Sequence, residues 1–302
     1  MKGFVAIITL LVVTGMAVAQ VPQSVEPHPQ KSNSTQSQTS GNTTPPSSGQ
    51  NAQPATPGAQ QPSAPTGKHL PVAKTPEEYK AYQDAEAKPD APSAEQAADA
   101  FAQKFPDSEL RGALYQRVML QYQQANNSEK VVEVGRKTVN AEPDNAIALA
   151  IVASVLSVKT HDTDLDRDER LAEAKKDAQK AIELANAGQA VPAGTPPEQA
   201  AMYKDTILST AYSALGSVDF ANKNYASAEQ NLRKAVEPSH AQPDAINFYE
   251  LALTLQRENK NQDALDATTK CQDAAKDNPP VANACKNLGD YLQKVVNNPP
   301  AK

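Results

Sequence analysis

From about Lys74 to Asn297, apolar residues return every three or four positions, the period of a helix with one buried face. Sustained apolar–polar alternation is missing, and so are the Asn-Gly and Asp-Gly dipeptides that turn a β-hairpin. The pattern therefore predicts an all-α chain. Thr75-Pro76-Glu77-Glu78 reads as a capping box with Pro at the first helical position, opening a helix through Tyr79 and Tyr82. SAEQAADAFAQKFPDS then completes a first, degenerate pair. AIALAIVASVLSV is an apolar helix, and its partner is LAEAKKDAQKAIELA, with Leu171, Ala174, Ala178, Ala181 and Ile182 on one face. The last helix, VANACKNLGDYLQKVV, is amphipathic.

The helices pair, and the pairs repeat. In YSALGSVDFANKNYASAEQNLRKAVE, Tyr212 is followed by Leu215 and Gly216, then by Tyr225, Ala228, Leu232 and Ala235. This resembles the tetratricopeptide repeat, whose signature is a large residue, Leu-Gly, an aromatic, Ala, a large residue and Ala at those intervals. Small residues at Gly216 and Ala228 let the paired helices approach, while Tyr212 and Leu232 fill the space between turns. A further copy runs through Phe248, Leu251, Ala252, Ala264 and Cys271. It starts 36 residues after Tyr212, slightly more than the family period, and the extra residues fit the SHAQPDA turn. Upstream, Tyr115, Tyr122, Val131, Thr138 and Pro143 fit one more copy, and one family period beyond Tyr115 lies Leu149.

The resemblance implies an α-solenoid of about five antiparallel helix pairs over residues 75–297, with the last helix as a wetter cap. An ordinary helical bundle is the alternative, since both share short loops and apolar periodicity. The family's ligand groove is lined by the first helix of each pair. By register this face carries Gln116, Leu120, Gln123, Ser154, Ser157, Ser213, Ser217, Phe220, Tyr249, Leu253, Gln256 and Arg257. Family members that clamp a terminal carboxylate use several cations there, whereas this chain has only Arg257. An extended segment or helix, anchored on Phe220, Tyr249 and Leu253, fits better.

The opening MKGFVAIITLLVVTGMAVAQ reads as an export signal over residues 1–19. Lys2 gives the positive start, Phe4 to Val13 the apolar run, and Ala17-Val18-Ala19 the cleavage site before Gln20. The run is shorter than the roughly 20 residues of a spanning helix, and no Cys adjoins the cleavage site for lipid attachment. Between Val25 and Leu70 there is no Val, Ile, Leu, Met or aromatic residue, so residues 20–74 are expected to form a disordered tether. Its mean reach is roughly 40 Å. Residues 298–302 form a short disordered tail. No later stretch is apolar enough to span a bilayer. The expected location is outside the cytoplasm: periplasmic, attached to the cell envelope, or secreted.

Charge divides at the same boundary. Lys31, Lys68 and Lys74 against Glu26 give residues 20–74 a charge of +2; with Lys2 set aside, the total of −6 leaves −9 for residues 75–302. An acidic domain argues for a protein or peptide partner rather than nucleic acid or anionic membrane.

Enzyme signatures are missing: no paired His at helical spacing, no G-x-S-x-G elbow, no complete phosphate loop. The chain is read as non-catalytic and without a cofactor. Cys271 and Cys285, an even pair in an exported chain, are expected to bond, the cap helix being pinned to the last pair. The stretch THDTDLDRDERLAE raises a metal question. Asp162, Asp164, Asp166 and Glu173 match the first, third, fifth and twelfth ligands of an EF-hand loop. Arg167, however, stands where the sharp turn wants Gly, and Asp166 with Glu169 doubles as N-cap and capping-box partner. The capping reading is preferred, with calcium as the alternative. The leading function is an interaction scaffold of the bacterial envelope that holds a partner segment in its groove. The alternatives are a calcium-tuned module and an accessory subunit of an envelope assembly machine or enzyme.

Overall fold

The structure, a computed structural model, describes residues 67–237 and 244–298. The expected signal, residues 20–66 of the expected tether, most of the SHAQPDA turn and residues 299–302 lie outside the described residues. Among the described residues there are eleven α-helices and no strand. They are α1 (Pro76–Glu86), α2 (Ala91–Lys104), α3 (Leu110–Gln124), α4 (Ser128–Ala141), α5 (Ala146–Lys159), α6 (Arg167–Asn186), α7 (Pro197–Ala221), α8 (Tyr225–Ala235), α9 (Ala245–Arg257), α10 (Asn261–Ala274) and α11 (Pro279–Asn297). Each helix packs against the next in sequence, and α7 also packs against α5.

Local chemistry fixes the helix ends. The side chains of Thr75, Asp90, Asn127, Asn145 and Asp244 each accept a backbone N–H in the first turn of α1, α2, α4, α5 and α9. At α1 the capping box is altered. Thr75 Oγ1 accepts the Glu78 N–H at 3.1 Å, but Glu78 accepts from the Lys74 N–H at 2.6 Å rather than from Thr75.

The links α3–α4, α7–α8 and α9–α10 are one turn used three times. Asn126, Lys223 and Asn259 sit at φ 55°, 62° and 61°, the non-glycine residues of left-handed φ among those described. In each case the next N–H reaches five residues back to the third-last helical carbonyl: Asn127 to Tyr122, Asn224 to Asp219 and Lys260 to Leu255. This is the Schellman closure, which satisfies carbonyls that a helix C-terminus leaves open.

Packing follows the small residues. A methyl group built on Gly216 would lie 2.5 Å from Leu232 Cγ, so α7 and α8 meet where only glycine fits. Helix α5 is buried on nearly all sides, as an apolar helix wedged among α4, α6 and α7 must be. One apolar core runs from Ala85 to Val218, while α8 to α11 share two smaller clusters, around Leu232–Leu255 and around Phe248, Cys271 and Cys285.

The last part of the expected tether, residues 67–74, is fastened across the turns between pairs. Lys68 donates its N–H to Val191 O at 2.8 Å and accepts from the Ala193 N–H at 2.9 Å, while its ammonium pairs with Glu142 and Asp144. His69 lies 3.4 Å from Glu109, and Lys74 Nζ donates to Asp107 O at 2.7 Å. Basic residues thus hold this segment to acidic turns.

Candidate functional site

The expected ligand face does not run unbroken from α3 to α9. On α3, Leu120 packs on the main core, and Gln116 Oε1 accepts from Asn145 Nδ2 at 2.7 Å, tying it to the α4–α5 turn. Gln123 is half-buried beside the α3–α4 turn. On α5, Ser157 is only 5% exposed and donates to the carbonyl of half-buried Ser154. Ser157 is therefore no surface residue; it lies on α5, which packs against α4, α6 and α7.

The patch that remains lies on α7 and α9. Ser213, Ser217 and Phe220 of α7 and Tyr249, Leu253 and Gln256 of α9 are half-buried, and Arg257 is exposed. Phe220 is engaged edge-to-face with Tyr225, centroids 5.4 Å apart, so it steadies the α7–α8 hairpin. Ser217 and Tyr249 flank a residue the sequence reading passed over, Glu250. Ser217 Oγ donates to Glu250 Oε2 at 2.8 Å, bridging two successive pairs. Glu250 keeps some contact with solvent, yet among the described residues no cation pairs with it. Burial pushes its carboxyl up to about 7; the Ser217 hydrogen bond opposes this, and the charge of Asp244 at the α9 N-cap adds to it.

Two other enclosed acids, buried Glu95 and half-buried Glu229, are matched by cations, whereas buried Asp219 takes only the neutral donors Ser227 and Asn231, and burial pushes the carboxyl of Asp177 up to about 6. Glu95 accepts from Tyr122 Oη at 2.7 Å, Lys130 Nζ at 3.2 Å and Lys137 Nζ at 3.0 Å. Burial pushes this carboxyl up, but those three donors outweigh it and hold it below the usual range. Asp99 beside it takes Tyr115 Oη at 2.9 Å and Lys137 Nζ at 3.0 Å. At Glu229, burial is likewise overcome by Lys260 and Arg233, bringing the carboxyl down to about 2.

The Asp-rich loop gathers no metal site. Asp162 accepts from Arg167 Nε at 3.2 Å, Asp164 accepts from the His161 N–H at 2.8 Å, and Glu173 is held by Arg136 in a bidentate pair at 2.8 and 2.6 Å. Among the described residues no three His, Cys, Asp or Glu side chains converge on a common point. The capping expectation is half met: Asp166 is the N-cap of α6, but its side chain makes no capping hydrogen bond. The loop instead walls a cleft of about 1140 Å³ facing the α3–α4 turn, with Leu165 fully exposed at the rim. Arg167 also donates to Ala221 O at 2.8 Å, joining this loop to the end of α7.

Cys271 of α10 and Cys285 of α11 form a disulfide, their Cα atoms 5.9 Å apart and both residues fully buried. No helix among the described residues is long and apolar enough to cross a membrane. Comparison with known proteins found no matching family model and no similar curated protein.

Proposed function

We propose that the chain is a non-catalytic interaction scaffold: a tetratricopeptide-like solenoid that holds a partner segment along the first helices of its later pairs. The observation that carries the reading is the α7–α9 patch. On α9, half-buried Leu253 and Tyr249, the latter also packed on the Phe248–Cys271–Cys285 cluster, accompany Glu250, an acid that accepts from Ser217 of α7 and that no described cation neutralises. Apolar anchors among a few convergent polar groups are what a short segment needs for both affinity and register. The repeated Schellman turns and the small residues at helix contacts support the solenoid reading. The signal-like opening and the acidic balance support an exported, envelope-associated role with a protein partner.

A photo-crosslinking amino acid placed at Leu253, with an identical one at exposed Lys270 of α10 as control, tests this in cells. The reading expects one defined polypeptide adduct at Leu253, lost on Tyr249→Ala and absent at Lys270. Adducts that are the same at both positions would contradict it.

A further inference from the structure

Four observations single out Glu250. It is a half-buried carboxylate between two helix pairs. Its hydrogen-bond partner is a neutral hydroxyl, Ser217 Oγ, at 2.8 Å. Glu95 and Glu229 hold two cations each, and Asp219, which has none, is filled instead by two neutral donors, Ser227 and Asn231, where Glu250 has one. Glu250 also lies beside the half-buried apolar side chains of Tyr249 and, one turn on, Leu253. Enclosing a carboxylate without a cation opposes folding, because the charge loses hydration without a compensating partner. Replacing it by Gln would keep an acceptor for Ser217 and avoid that cost, so the acid serves something outside the fold.

Resting on the groove reading above, we infer that Glu250 receives the lysine or arginine side chain of the bound partner segment, an extended polypeptide whose apolar residues lie on Tyr249 and Leu253. Charge complementarity supports a cation at two ranges. At contact, an ammonium or guanidinium would complete the acid's unfilled coordination beside Ser217, where low local polarity strengthens the pair. At longer range, the net charge of −9 over residues 75–302 draws cationic segments in and repels acidic ones.

The pair would couple binding to protons. Facing Glu250 are Asp244 on its own helix and the Ser217 hydroxyl from α7; no charged group of α8, α10 or α11 contributes to its titration. Its carboxyl titrates near 7 when free, and a bound cation lowers that value. Affinity therefore falls as pH drops, by about tenfold from about pH 8 to about pH 6.

A random peptide library displayed on phage, selected against the full exported chain and followed by synthesis of the recovered peptides, provides the probe. Expected are peptides with a Lys or Arg spaced from apolar residues, bound at least about tenfold less tightly by Glu250→Gln and with no pH dependence in that variant. Acetylating the peptide's lysine must reproduce the loss without touching the protein. Peptides lost on Tyr249→Ala but bound equally by wild type and Glu250→Gln would overturn the Glu250 inference and leave the groove standing. Peptides insensitive to Tyr249→Ala would remove both.

Discussion

The α2–α3–α4 interface and the α7–α9 face use the same materials to opposite ends. At the first, two acids on α2 meet two tyrosines on α3 and two lysines on α4, with Lys130 and Lys137 also lying over the Tyr122 and Tyr115 rings at 5.9 and 5.7 Å. Every charge there has an opposite, and Glu95 titrates low despite its burial. At the second, Glu250 has a serine and a remote like charge, and it titrates high. A matched acid locks two helix pairs together. An unmatched one is a standing demand for a cation that the chain does not supply.

That contrast breaks most severely at the C-terminal end, whose two small apolar clusters lean on a covalent staple. Reducing the Cys271–Cys285 disulfide should remove about 3 kcal/mol from the last helices, read as early loss of protection in α10 and α11 by hydrogen exchange. The pH response of Glu250 should survive, since the disulfide lies outside its contacts.

Next in size is the matched interface. Lys137→Met takes a donor from both Glu95 and Asp99 and should cost about 2 kcal/mol in urea denaturation, a partly exposed network being worth less than a fully buried one. The unmatched acid should respond with the opposite sign. Its folded pKa, about 7, lies above the ordinary 4.5, so the native state holds an extra proton in that window and stability falls as pH rises through it. Glu250→Gln should therefore stabilise the chain by about 1 kcal/mol at pH 8 and leave it unchanged at pH 4. Glu229 sets the reverse slope. Its folded value near 2 lies below 4.5, so its contribution is whole above pH 4.5 and is lost as pH falls toward 2. Glu229→Gln should lower stability at neutral pH, converge with wild type near pH 2, and so flatten the acid limb of the profile.

The helices and their ends were legible because they are local. Capping residues, prolines at first turns and the small residues at Gly216 and Ala228 act within one or two helices, and a linear pattern records them. The first half of α7 was harder to read. Thr206 and Thr210 interrupt the apolar period, and their hydroxyls are satisfied by donating to the carbonyls of Met202 and Thr206 one turn back. Tyr115 and Tyr122 were legible as large packing residues but not as hydroxyl donors, since Asp99 and Glu95 belong to the preceding helix pair. Glu250 was the least legible. An acid on an amphipathic helix normally reads as solvated surface, and its meaning depends on a serine 33 residues away and on cations that are elsewhere. The Asp-rich loop is the reverse case, a spacing that resembles a metal loop although its acids are engaged separately by Arg167, the His161 N–H and Arg136.

The account turns on the charge state of one side chain. A carbon-detected NMR titration of the Glu250 carboxyl in the free protein measures it directly, with Glu250→Gln giving the assignment. The account predicts a midpoint close to 7, moving down when a lysine-bearing peptide binds. A midpoint at or below the ordinary 4.5, unmoved by the peptide, would contradict it.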